Sequence, residues 1–170
     1  MYFKRITTKT RNISEIINLY NSSFPQNERR NFQELIDEKS KGMEFLAFYE
    51  NDVFIGFITI LNCKNISHII YFAVHENLRG QGYGSKILSI IKEIKLSQKI
   101  LADLEKINFS KENNNQRIKR ENFYIKNGFQ KTNIYYIWND ETYNIFSNTP
   151  NISEKEYNDF WNYFDVEVKK

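Results

Sequence analysis

Cysteine, proline and glycine are all scarce: one, two and six in 170 residues. The lone thiol, Cys63, closes no disulfide within the chain and points to a reducing, cytoplasmic setting. It follows the apolar strand pattern that ends at Leu61, the place of a buried structural thiol rather than a nucleophile. No apolar run is long enough to cross a bilayer, and the opening MYFKRITTKT lacks the apolar stretch of a secretory leader, so no membrane association is expected. His, Cys, Asp and Glu nowhere cluster at metal-ligand spacing, so no metal is expected. Charge of one sign is also lacking, with 24 basic and 21 acidic residues. The net +3 suits a solvated surface or a small anionic ligand. Basic and aromatic residues interleave in QRIKRENFYIK, but Arg117, Lys119 and Arg120 share no helical stripe. A nucleic-acid partner is therefore not expected.

What is present is a core. Hydrophobic residues make up 41% and aromatics 16%, which predicts one globular domain over residues 1–170. Residues 2–6 read as a strand. Ile13, Ile16, Ile17 and Tyr20 mark one face of a helix, and Phe32, Leu35 and Ile36 mark a second. MEFLAFYE and VFIGFITIL are strands joined at Asn51-Asp52 by a two-residue turn. ISHIIYFAV is a further strand, followed by a helix with Ile87, Ile90, Ile91 and Ile94 on one face. KILADLEKI is a strand, and the next helix stops at Gly128. FQKTNIYYIW and TYNIFS form a hairpin around Asn139-Asp140. Ser153 and Glu156 fit a capping box for a last helix that presents Tyr157, Phe160, Trp161 and Phe164. The order βααβββαβαββα predicts an α+β fold with a mixed sheet.

Three of the six glycines fall within five residues, in Arg79-Gly-Gln-Gly-Tyr-Gly-Ser85 at a strand-to-helix junction. Such a turn has two readings. Glycines let backbone amides and the helix N-terminus approach a phosphate, with Arg79 adding positive charge; or they merely permit positive φ in a tight turn. A P-loop is excluded because no Gly-Lys-Ser/Thr follows, and the dinucleotide fingerprint has different glycine spacing.

In these residues the chain resembles the GNAT superfamily of acyl-CoA-dependent N-acetyltransferases. The family signature R/Q-x-x-G-x-G/A is met by Arg79, Gly82 and Gly84. A second block, aromatic-Tyr-x-x-x-Gly-Phe, is met by FYIKNGF at residues 123–129. Both blocks stand in the family's order, and the resemblance spans nearly the whole chain. It implies a mostly antiparallel central sheet flanked by helices, with splayed central strands. It implies acetyl-CoA as acyl donor, its pyrophosphate on Arg79, Gly80, Gln81, Gly82, Tyr83, Gly84 and Ser85. Its pantetheine would lie along Phe72, Ala73 and Val74. The acceptor it implies is a primary amine of a small molecule or peptide, acetylated in a ternary complex. Monomer and homodimer both remain open.

The resemblance makes Tyr124 the general acid that protonates the thiolate, since a phenol stays protonated at neutral pH. The base is open. Asp103 and Glu105 stand two apart on a strand and leave the same face, which suits either a base or a solvated strand end. In the loop between the first two helices, where the family builds part of its acceptor pocket, Glu28 suits a cationic substrate and Arg29 or Arg30 an anionic one. Glu28 also fits as an ordinary charge in the first turn of a helix. His75 reads as a turn residue, and His68 has no evident partner. Two departures stand out: many relatives carry Asn seven residues before the tyrosine, where this chain has Arg117, and many carry Glu in the strand before the glycine turn, where HIIYF has none. A non-catalytic acyl-CoA sensor or scaffold of the same fold is the alternative reading.

Overall fold

The structure, a computed structural model, describes residues 1–166. Strands β1 (Tyr2–Arg5), β2 (Met43–Glu50), β3 (Val53–Cys63), β4 (Ile66–Val74), β5 (Lys99–Glu105), β6 (Gln130–Trp138) and β7 (Glu141–Ser147) carry five helices between and after them. These are α1 (Ser14–Ser23), α2 (Phe32–Ile36), α3 (Tyr83–Ile94), α4 (Asn114–Lys126) and α5 (Glu154–Asn162). The α+β order inferred from the sequence holds element by element. The strands form one sheet in the order β1-β2-β3-β4-β5-β7-β6. The ladders β1–β2, β2–β3, β5–β7 and β6–β7 are antiparallel.

The chain divides into two compact units, residues 1–62 with 69–94, and residues 63–68 with 95 onward. Strand β4 thus opens in the second unit, with Ile66 to His68, and runs on in the first.

In the first unit β3 is buried on both faces, from Phe54 to Leu61, which explains its unbroken apolar run. Asn51 and Asp52 close the β2–β3 hairpin with φ of 51° and 63°, the mirror-image turn that matches strand twist. α1 buries Ile16, Leu19 and Tyr20. The apolar face is therefore rotated from the expected one: Ile13 is the N-cap and Ile17 is only half-buried. α3 buries Ile87, Leu88 and Ile91, whereas Ile94, expected on that face, is 46% exposed at the helix end.

In the second unit Ile100, Leu101, Ala102 and Leu104 of β5 and Ile145 and Phe146 of β7 are buried, as are Tyr157, Phe160 and Trp161 of α5. The capping box of α5 forms: Ser153 Oγ accepts from the Glu156 amide at 3.2 Å, and the Ser153 amide donates to Glu156 Oε2 at 2.9 Å. Phe164 lies past the helix end. Cys63 is buried and free. The buried residues of α4 are Asn114, Arg117 and Tyr124, a polar inner face that no packing argument requires.

Candidate active site

In the first unit, Val74 leads through the single 3-10 turn Glu76–Leu78 into the glycine turn. Gly80 and Gly82 take φ of 77° and 84°, and a Cβ at either would meet nothing within 4 Å. Glycine is required there by backbone conformation, and the surface over the turn is open. Gly84 lies inside α3, whose first amides have no acceptor within the helix and carry its positive dipole end.

The side chains of the turn are drawn back to the protein. Arg79 Nε donates to the Val74 carbonyl at 3.0 Å, and Gln81 Nε2 to that of Asn77 at 2.9 Å. The Tyr83 hydroxyl bonds Glu50, which raises the phenol pKa and lowers that of the carboxyl. Arg79 is thus a tie across the turn more than a free charge at its mouth. What the turn offers an anion is main chain.

Upstream, the backbone of β4 passes unusually close to β3. A Cβ on Gly56 would sit 2.3 Å from the Ala73 carbonyl oxygen and 3.0 Å from Val74 Cα. The sequence carried a signal of this, an isolated glycine inside the strand VFIGFITIL, which often marks close backbone approach. Gly56 fixes where Ala73 and Val74 lie.

Tyr71, one residue before Phe72, fastens the loop after α1. Its hydroxyl donates to the Glu28 carbonyl at 2.7 Å and accepts from the Arg30 amide at 3.0 Å. Tyr20 donates to the Arg30 carbonyl at 3.0 Å, and its ring stands edge-on to Tyr71 at 5.1 Å. Glu28 ends the 3-10 turn Gln26–Glu28 rather than opening α2, whose N-cap is Asn31, accepting from the Gln33 amide at 2.9 Å. Glu28 is thus a first-turn charge of that 3-10 turn, not of α2. Arg29 Nη1 reaches Asn21 Oδ1 at 2.7 Å, while its buried Nε has no hydrogen-bond partner.

In the second unit, Tyr124 lies at the end of α4 and is 5% exposed. Gly128, at φ 79°, closes the helix, and the Phe129 amide returns to the Tyr124 carbonyl at 3.0 Å. Burial chiefly raises the Tyr124 pKa; Asp103 raises it further and Arg120 opposes. The hydroxyl is a proton donor throughout the neutral range, and Asp103 lies near enough for its charge to be felt there.

The two carboxylates of β5 have different surroundings. Glu105 is taken by Arg117 at 3.2 Å and Arg120 at 2.7 Å. Arg117, 4% exposed, also donates to Asn113 Oδ1, the Lys106 carbonyl and Glu141, each at 2.9 Å. Arg117 and Lys111 hold the Glu141 carboxyl down at about 2. Arg117 thus locks the β5–α4 connection to the start of β7. Asp103 pairs with no guanidinium or ammonium among the described residues. Its Oδ1 lies 2.6 Å from His68 Nε2, and its Oδ2 accepts from the Tyr136 hydroxyl at 3.0 Å. His68 does have a partner, one that sequence spacing could not disclose. Among the described residues no group of His, Cys, Asp and Glu could hold a metal, and no helix is long and apolar enough to cross a membrane.

The acetyltransferase (GNAT) domain family matches residues 41–131. A solved structure assigned to the GNAT acetyltransferases, from Bacteroides thetaiotaomicron, is similar at 25% identity and a TM-score of 0.76, covering 96% of both chains. A GNAT family acetyltransferase from Elizabethkingia anophelis, solved with acetyl-CoA bound, shares the fold at 18% identity and a TM-score of 0.57, covering 86% of this chain and 95% of that one. An aminoglycoside 6'-N-acetyltransferase complexed with coenzyme A shares it at 12% identity and a TM-score of 0.67, over 90% of this chain and all of the other. No curated protein matches.

Proposed function

With more than half of its length matched by the family's pattern, the chain belongs to the GNAT acetyltransferases and is an acyltransferase; from that premise we propose that it moves an acetyl group from acetyl-CoA to a primary amine of a small molecule or peptide, by direct transfer in a ternary complex. The observation that carries the donor assignment is the glycine turn. Two left-handed glycines with open space above them precede the amides of α3, a fit for the pyrophosphate. Residues Arg79 to Ser85 would hold that group, and Phe72, Ala73 and Val74 would lie along the pantetheine. When bound, acetyl-CoA supplies an activated acetyl thioester.

The chain's own residues supply the proton transfers. Asp103 takes the ammonium proton that the acceptor must lose to become nucleophilic. Glu105, neutralised by Arg117 and Arg120, supports the site rather than serving as base. Tyr124 donates a proton to the departing sulfur. Glu28 and Arg29 would contribute to recognition of the acceptor, and a carboxylate base with no cation partner favours acceptors that arrive positively charged.

The test is a melting curve with and without excess acetyl-CoA, followed by thiol release on a panel of spermidine, an aminoglycoside and a lysine peptide. Ligand at about 100 times its Kd adds roughly 2.7 kcal/mol, hence several degrees. No shift at saturation refutes the donor site. A shift without thiol release on any amine points to the non-catalytic acyl-CoA-binding reading.

A further inference from the structure

His68 is fully buried at the start of β4, yet only one of its nitrogens is used. Nε2 lies 2.6 Å from Asp103 Oδ1, while Nδ1 has no partner. The ring is enclosed by Tyr157, Phe160 and Trp161 of α5, with centroids 6.0, 5.6 and 5.2 Å away. A ring so placed gives up hydration at both nitrogens and recovers one hydrogen bond. A phenylalanine would fill the same space without that loss, so the bond to Asp103 is what the histidine provides.

Its polarity follows from the partners. A carboxylate accepts, so Nε2 carries a hydrogen; a second hydrogen on the buried Nδ1 would have no acceptor, so the geometry favours a bare Nδ1. Tyr136 donates to the other oxygen, Oδ2, at 3.0 Å. Asp103 is therefore gripped on both oxygens by donors that bring no positive charge. Its neighbours Glu105 and Glu141 differ, being neutralised by Arg117, Arg120 and Lys111. Neutral donors fix the direction of a carboxylate and leave its negative charge for something else.

We propose that His68, with Tyr136, is a positioning residue that aims Asp103 at the acceptor's ammonium group. The inference rests on Asp103 being the base. His68 is fully buried and never meets the acceptor; it restricts the orientation of a carboxylate that is itself 20% exposed and so within reach of one. The proton passes from the ammonium nitrogen to Asp103 and leaves the imidazole unchanged.

The experiment has two arms. In the first, the full chain labelled with 15N-histidine is examined by long-range proton–nitrogen NMR at neutral pH, with His75→Gln used for assignment. A neutral His68 ring bearing its hydrogen on Nε2 is expected. A hydrogen on Nδ1, alone or in an imidazolium, overturns the proposal. In the second arm, His68→Phe keeps an aromatic ring against α5 and removes the donor, while His68→Gln places an amide donor where Nε2 was. With spermidine or the aminoglycoside as acceptor, His68→Phe should lower kcat about tenfold or more, with the KM for acetyl-CoA and its melting shift unchanged. His68→Gln should recover most of the rate. A folded His68→Phe enzyme with wild-type kcat overturns the proposal, as does a His68→Gln enzyme no faster than it. If His68→Phe fails to fold, Tyr136→Phe removes the other donor from a half-buried ring and carries the same expectation. Should the wild type show no acetyl-CoA shift, the donor reading fails, and the NMR arm still decides the hydrogen bond on its own.

Discussion

Replacing Gly56 by alanine adds one methyl group, and the structure fixes what that methyl meets. The Cβ would fall 2.3 Å from the Ala73 carbonyl oxygen, where real Cβ contacts essentially never come under 3.0 Å. The second obstacle, Val74 Cα, is also backbone, at 3.0 Å. No side-chain rotation relieves either, so β3 and β4 must separate by about 0.7 Å or more at that point. Overpacking of this kind costs about 1–3 kcal/mol. For a chain of this length that is a fall in Tm of roughly 3–10 °C. The displaced segment is Ala73 and Val74, so the melting shift given by acetyl-CoA should shrink as well. Differential scanning fluorimetry with and without acetyl-CoA reads both quantities, and urea unfolding checks the first. Gly82→Ala is the contrast: nothing lies near its Cβ, and its cost comes from φ alone, about 1–2 kcal/mol. Asparagine, which tolerates the left-handed region, should recover much of that loss at Gly82 and none at Gly56. A Gly56→Ala protein with wild-type Tm and an undiminished acetyl-CoA shift would show that the close approach has no energetic weight.

Three further outcomes are expected. Gly82→Trp should melt within several degrees of the wild type but lose the acetyl-CoA shift, since its bulk occupies the open turn; a retained shift would place the donor elsewhere. Tyr124→Phe should keep the shift and lower kcat about a hundredfold, and a wild-type rate on a confirmed amine would remove Tyr124 as the acid. Glu141 and Glu156 have folded pKa values depressed from 4.5 to about 2, by Arg117 and by Lys99 in the first place. Both contributions are complete above about 4.5 and are lost as pH falls toward 2, so Tm should drop steeply across that window. Glu141→Gln should be less stable at neutral pH and lose less on acidification; parallel curves for the two proteins would refute the assignment.

The fold was legible because its signals are local. The hairpin turns at Asn51-Asp52 and Asn139-Asp140 hold the positive φ such pairs tolerate, and Gly128 and the Ser153–Glu156 box end and begin helices where their chemistry requires. The two glycines that needed φ were legible for the same reason. What escaped were relations between distant residues. Nothing in the spacing of His68 and Asp103, 35 positions apart, or of Tyr136 and Asp103, 33 apart, announces a hydrogen bond. Asp103 and Glu105 are equivalent by strand alternation, and what separates them is the reach of Arg117 and Arg120 to one and of His68 and Tyr136 to the other. Arg117 looked like a lost asparagine because its four partners lie in three different segments.

The anchoring of the loop after α1 bears on how this protein can change. Tyr71 and Tyr20 hold residues 28 and 30 through main-chain carbonyls and an amide alone. The grip is indifferent to what side chains those positions carry. A point mutation at 30 can therefore exchange charge, size or polarity while the main-chain grip stays, whereas losing the Tyr71 hydroxyl releases every such variant alike; at 29 the bond to Asn21 is lost as well. Selection for a new acceptor would find an interchangeable faceplate on a fixed mount, with Tyr71 held constant.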